Sequence, residues 1–280
     1  MMNRLTTFSV ATGIVAAITA VASASVVDTV ALQTPTALSF TDSQNALYSL
    51  TATQPAGSGV FDPFMRIQRT DDAQGYNSSM NNGPSATMDL INLPGNASSQ
   101  LNFTNLLDVN NQLMLTLDYN EPGKAGTSTL FLKELILVVS TDPDKTGPAG
   151  PANKGAWSIQ SIPMSAGDQV IYQMSAATDG GGNPYAIKLD ADANSANGNG
   201  GSGAADLNVT FNFTGLAGLQ SMLDGQHYLY VYSRFSGTEA GFEEWSAFHP
   251  LAAGGSPIPE PASLGVLALG AMGLMIRRRR

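Results

Sequence analysis

Leu207-Asn-Val-Thr-Phe-Asn-Phe-Thr214 is the stretch whose reading decides the fold. Leu207, Val209, Phe211 and Phe213 fall on one side of an extended chain, and Asn208, Thr210, Asn212 and Thr214 on the other. Side chains of a strand alternate with a period of two, so this pattern predicts a strand with one face in a core and one in water. The same alternation places Leu113, Leu115, Leu117 and Tyr119 opposite Met114, Thr116 and Asp118. It continues at Val170 and Tyr172, and at Tyr185, Ile187 and Leu189. Thr129 to Ser140 reads as a longer apolar strand interrupted by Lys133-Glu134, Trp157 to Gln160 as a short one, and Tyr228 to Phe235 as a late one.

Turn chemistry separates these runs. Asp142 to Lys154 is a Pro/Gly loop, and Gly180 to Pro184 is another. Asn194 to Ala205 is nearly pure Asn, Gly, Ser and Ala and reads as a loop between two strands. Leu216 to Leu223 is expected to form a short helical turn. Strands at this spacing predict an all-β fold, a single β-sandwich of jelly-roll-like type, spanning residues 25–253.

Composition narrows the function. The chain has 280 residues and no cysteine, which excludes disulfides, thiol catalysis and thiolate metal sites. Five of its thirteen bases lie near the ends, at Arg4 and Arg277 to Arg280. Between Ser25 and Ile258 there are 21 acids and 8 bases, so 8 − 21 gives a net charge of −13. Such a surface cannot neutralise phosphates, so nucleic acid is excluded as a partner.

Both ends carry targeting signals. Arg4 gives a short charged start, Val10 to Val21 is apolar or small, and Ala22-Ser23-Ala24 has the small-x-small pattern of signal-peptide cleavage. Residues 1–24 are therefore expected to be removed by signal peptidase after general secretion, leaving Ser25 first. The sequence from Gly254 to Arg280 is a second unit. Pro259 and Pro261 hold the backbone extended around Glu260, because proline fixes φ and restricts its predecessor. Ala262 to Ile276 contains no charge and reads as an apolar helix. Its fifteen residues reach ~22 Å at ~1.5 Å each, short of a ~30 Å hydrocarbon core. Arg277, Arg278, Arg279 and Arg280 form a basic stop that stays on the cytoplasmic side. The segment thus engages the inner membrane as a transient or retained anchor, and it suits a processing address better than a permanent attachment.

Pro259-Glu260-Pro261, the apolar span and the arginine cluster, in that order, resemble the PEP-CTERM sorting tail of Gram-negative and related bacteria. The resemblance implies processing by an exosortase, placement in the cell envelope, outer surface or extracellular matrix, and association with exopolysaccharide and biofilm. Asn105 to Asn110, Gly200 to Asp206, Tyr228 to Phe235 and Gly241 to Trp245 are in turn similar to a recurring ectodomain of such proteins. Glu239-Ala240 stands where that ectodomain has Asn-Asp.

Several side chains are weighed as sites. Asp190, Asp192 and Asn194 place oxygens at alternate residues, the spacing of a calcium loop, with Asp206 available to close a looser site. Ser195 and Gly201 stand where an EF-hand needs Gly and Glu, so a solvated acidic loop is the plainer reading. No other cofactor is implied. In a strand Glu243 and Trp245 share one side and Phe242 and Glu244 the other. The first pair could contact a glycan, or Trp245 could be core. His227 and His249 sit in no metal spacing and near no recognisable nucleophile. The five Asn-x-Ser/Thr triplets, at Asn77, Asn96, Asn102, Asn208 and Asn212, are what chance gives in such a composition. The sequence favours a non-enzymatic surface or matrix protein. A carbohydrate-binding or adhesive module and a secreted polysaccharide-active enzyme stand as alternatives.

Overall fold

The computed structural model describes residues 28–31, 39–50, 63–79, 88–90, 93, 98–119, 129–146, 162–178, 182, 185–190, 206–239 and 241–248. The expected strands at Trp157 to Gln160, the Asn194 to Ala205 loop and both targeting ends lie outside these residues.

The described residues are all-β, forming two six-stranded sheets with few helical turns. The strands are β1 (Asp28–Ala31), β2 (Ser39–Thr41), β3 (Leu47–Leu50), β4 (Met65–Ile67), β5 (Asp71–Tyr76), β6 (Gln112–Tyr119), β7 (Thr129–Ser140), β8 (Gln169–Gln173), β9 (Tyr185–Asp190), β10 (Leu207–Asn212), β11 (Tyr228–Thr238) and β12 (Glu243–Phe248). One sheet runs β1-β9-β7-β11-β5, with β8 also on β7. The other runs β2-β3-β10-β6-β12-β4. Pairing is antiparallel between these strands except at β1 and β9, which are parallel.

The alternating segments face as their period requires. Leu113, Leu115 and Leu117 of β6 and Leu207 and Val209 of β10 are wholly enclosed, and they meet the inner face of the opposite sheet in one core. The long apolar run of β7 has a different cause. Leu135 to Ser140 are buried on both faces, so no alternation is needed. Leu229 to Phe235 of β11 are enclosed in the same way.

Part of that outer cover is the start of the Asp142 to Lys154 loop. The Tyr230 hydroxyl donates to the Asp142 carbonyl and receives the Lys145 N–H. The Ser78 hydroxyl donates to the Lys145 carbonyl. Beneath it the Lys145 ammonium lies 2.7 Å from an Asp168 carboxylate oxygen, both side chains 2% exposed. Asn77 adds a cross-tie: its amide donates to the carbonyls of Ser99 and Leu229 and accepts the Val231 N–H. This asparagine is enclosed and fully bonded, so its glycosylation triplet is unusable in the folded chain.

β11 runs three residues beyond the expected Phe235, to Thr238. The pairing with β5 slips between Ser236 and Thr238, where Gly237 takes φ +78. A left-handed bulge of this kind suits glycine, which carries no Cβ. Leu219–Asp224 forms the helix α2, within a turn of the expected place. A second short helix, α1 (Phe103–Leu106), is an addition to the expectation; Asn102 caps it through the Asn105 N–H.

Candidate functional site

The most concentrated polar chemistry among the described residues lies between the sheets, around Asp42. The β2–β3 loop turns at Asp42 because one carboxylate oxygen accepts the N–H groups of Gln44 and Ala46, each at 2.9 Å. The other oxygen accepts the hydroxyls of Tyr172 at 2.7 Å and Tyr185 at 2.6 Å. Tyr48 shares a 2.6 Å hydrogen bond with Tyr172. Each tyrosine comes from a different strand, β3, β8 and β9, at an inward position. Phe40 closes the rim with its edge against the Tyr185 ring at 4.9 Å. Burial drives all three phenols far above the ordinary tyrosine range, so they stay protonated. The cluster is a four-residue clamp joining the two sheets.

Nearby, Glu134 stands on β7 between the stretch paired with β9, which ends at Leu132, and the stretch paired with β8, which starts at Ile136. It is fully enclosed, and its Oε1 accepts the Ser175 N–H at 3.0 Å. Burial pushes its carboxyl up to about 7, against the opposing pull of Ser175 and Arg234.

At the other sheet, Glu244 of β12 lies across from Arg66 of β4 on one side and Asp118 of β6 on the other. Arg66 binds the Glu244 carboxylate through Nε at 2.6 Å and stacks over the Phe242 ring at 4.2 Å. Burial raises the Glu244 carboxyl while Arg66 draws it back down.

The residues weighed from sequence fall as follows. Glu243 and Trp245 share the inner side of β12, as the period requires, and both are fully enclosed. The Trp245 indole N–H donates to Ser233 across the core at 3.0 Å. Neither residue presents a face on which a sugar could stack, so the glycan-contact expectation gives way to a core role. Asp206 is also enclosed, and its carboxylate accepts the Tyr119 N–H at 3.0 Å. Asp190 ends β9 opposite Thr129. Asp192 and Asn194 lie outside the described residues. Among the described residues no group of three or more His, Cys, Asp or Glu is placed to hold a metal ion. His227 precedes β11, and its carbonyl accepts the Phe103 N–H.

Asp42, Tyr48, Glu134, Lys145 and Asp168 carry the enclosed chemistry, and sequence reasoning passed over them as sites. A faint signal existed at Lys133-Glu134, where charge breaks an apolar strand. The rest depends on contacts between separate segments, 23 residues apart for Lys145 with Asp168 and 130 for Tyr172 with Asp42.

Ala22 and Ala24, Pro259-Glu260-Pro261, the apolar 262–276 and the arginines at 277–280 lie outside the described residues. No helix among the described residues is long and apolar enough to cross a membrane. Residues 257–280 match the family described as the PEP-CTERM protein-sorting motif. The chain therefore carries a PEP-CTERM sorting motif, the mark of an exported, envelope-associated protein that an exosortase processes. No curated protein and no solved structure matches the chain.

Proposed function

We propose that this chain is an exported surface or extracellular-matrix protein of a bacterium, that its ectodomain is a non-catalytic jelly-roll sandwich, and that it serves with exopolysaccharide in a biofilm matrix. The observation that carries the reading is the sorting motif at residues 257–280. In it an extended Pro259-Glu260-Pro261 offers one carboxylate to an enzyme cleft, while the short apolar span and the four arginines hold the chain at the inner membrane. The mature protein then ends near Pro257 and leaves the membrane.

The strand order supports the sandwich reading. β4-β12-β6-β10 in one sheet faces β5-β11-β7-β9 in the other. Among these eight, successive strands cross between the sheets except from β7 to β9, as two Greek keys require. The non-catalytic reading is supported by the use made of the acids. Asp42, Asp168, Asp206 and Glu244 each hold backbone amides, hydroxyls or a cation within the fold. A general acid or base must instead reach a substrate proton.

The test is Glu260→Ala in the host. The full-length form should accumulate in the membrane fraction while the wild type is processed; normal processing of the variant would overturn the role of the motif.

A further inference from the structure

We propose that Glu134 is a pH-sensitive latch: as the medium turns alkaline, the turn that ends β8 opens and frees the edge of the sandwich at the β2–β3 loop. The inference goes beyond the sorting reading and draws on it for one point, that an exported domain meets the pH of its surroundings.

The geometry carries it. β8 and β9 lie end to end along one edge of β7, because β11 pairs with the other edge from Phe131 to Ser140. Glu134 sits at the gap between them. Its Oε2 is enclosed and makes no hydrogen bond, while Oε1 holds the backbone N–H of Ser175. Ser175 belongs to the 3-10 turn Met174–Ala176, and both Ser175 and Ala176 are exposed, so the contact of Glu134 with this turn borders the surface. The same turn is the dock of the β2–β3 loop. Gln44 donates to the Gln173 carbonyl, Ser43 N–H donates to the Thr178 carbonyl, and the Thr178 N–H donates to the Ser43 hydroxyl.

The charged and titratable groups around Glu134 do not supply a full counter-charge. Arg234 lies opposite it on β11, but its guanidinium reaches Asp72 of β5 at 2.8 Å. Lys133, the next residue on β7, turns to the Phe131 ring at 4.6 Å. From the facing sheet comes the Tyr48 phenol, which carries an oxygen rather than a cation.

The sign follows from burial. The enclosed carboxyl holds its proton up to about 7, whereas an exposed one releases it near 4.5. The closed form therefore binds the proton more tightly. Its advantage is complete below the exposed value and falls as pH rises through the enclosed value. Opening of the turn should become about tenfold more frequent between pH 6 and pH 8.

Amide hydrogen exchange on the full chain at the two pH values, corrected for intrinsic exchange, reads this directly. Protection at Ser175 to Thr178 should fall about tenfold, while amides of β11 such as Val231 keep theirs. Glu134→Gln should remove the difference. Equal protection at both pH values, a fall shared by every amide, or a fall that survives Glu134→Gln would each overturn the latch. If Glu134→Gln does not fold, the wild-type comparison of Ser175 with Val231 still decides. A failed latch leaves processing of the tail untouched, and unprocessed Glu260→Ala says nothing about the latch, so the two readings fail separately.

Discussion

Replacing Asp42 with asparagine changes one oxygen of the clamp into an amino group and leaves its volume almost unchanged. Oδ1 can still accept the N–H groups of Gln44 and Ala46. The hydroxyls of Tyr172 and Tyr185, at 2.7 and 2.6 Å from Oδ2, lose a charged acceptor and meet a donor instead. A hydrogen bond to a charged group contributes about 1.5–3 kcal/mol, so two sum to roughly 3–6. The phenols can rotate and accept from the new amide, which returns part of that, and a net loss of about 2–4 kcal/mol is expected. Urea unfolding followed by fluorescence measures it through the midpoint at constant slope. A double-mutant cycle with Tyr185→Phe isolates the pair, and a coupling of at least about 1 kcal/mol is expected. A loss below about 0.5 kcal/mol, or strict additivity in the cycle, would show that the carboxylate does not clamp the sheets.

Two further outcomes follow from the enclosed groups. Burial raises the phenols of Tyr48, Tyr172 and Tyr185 in the fold, so their contribution to stability is present below pH ~10 and lost as pH climbs above it. Alkaline unfolding curves should become shallower in Tyr48→Phe, and an unchanged slope would contradict the assignment. Lys145→Ala strands the enclosed Asp168 carboxylate, whose hydrogen bonds from Lys145, Ser140 and Ser165 outweigh burial and hold it below the usual range. A loss of about 3–5 kcal/mol in thermal melts is expected, and much less in Lys145→Met/Asp168→Leu.

The match between sequence and structure divides along physical lines. β10 was legible because its polar side reaches water, and the dry face must then recur every second residue; β6 shows the same alternation in sequence although its Thr116 and Asp118 are enclosed as well. β7 was legible as a long apolar run, interrupted only at Lys133-Glu134, with the same ends that the structure gives. β5, Asp71-Asp-Ala-Gln-Gly-Tyr76, was not, because Gln74 and Gly75 are enclosed in ways that polarity conceals. Gln74 accepts the Tyr232 hydroxyl, and a Cβ on Gly75 would come within 2.9 Å of Leu90. Glu243-Glu244-Trp245 shows the limit most clearly. The period gave the sides correctly, yet only the facing sheet could tell that the Trp245 side is the sealed one.

By itself the sequence determined where β6 to β11 run, that the domain is acidic and free of thiols, and that residues 257–280 form a sorting tail. These follow from neighbours along the chain: alternation, charge, and an ordered Pro-Glu-Pro, span and arginine stop. Only the tertiary structure decided that Asp42 gathers Tyr48, Tyr172 and Tyr185, and that Glu134 faces the gap between β8 and β9. Such contacts join residues up to 143 positions apart, and their energy depends on burial, which no local pattern records.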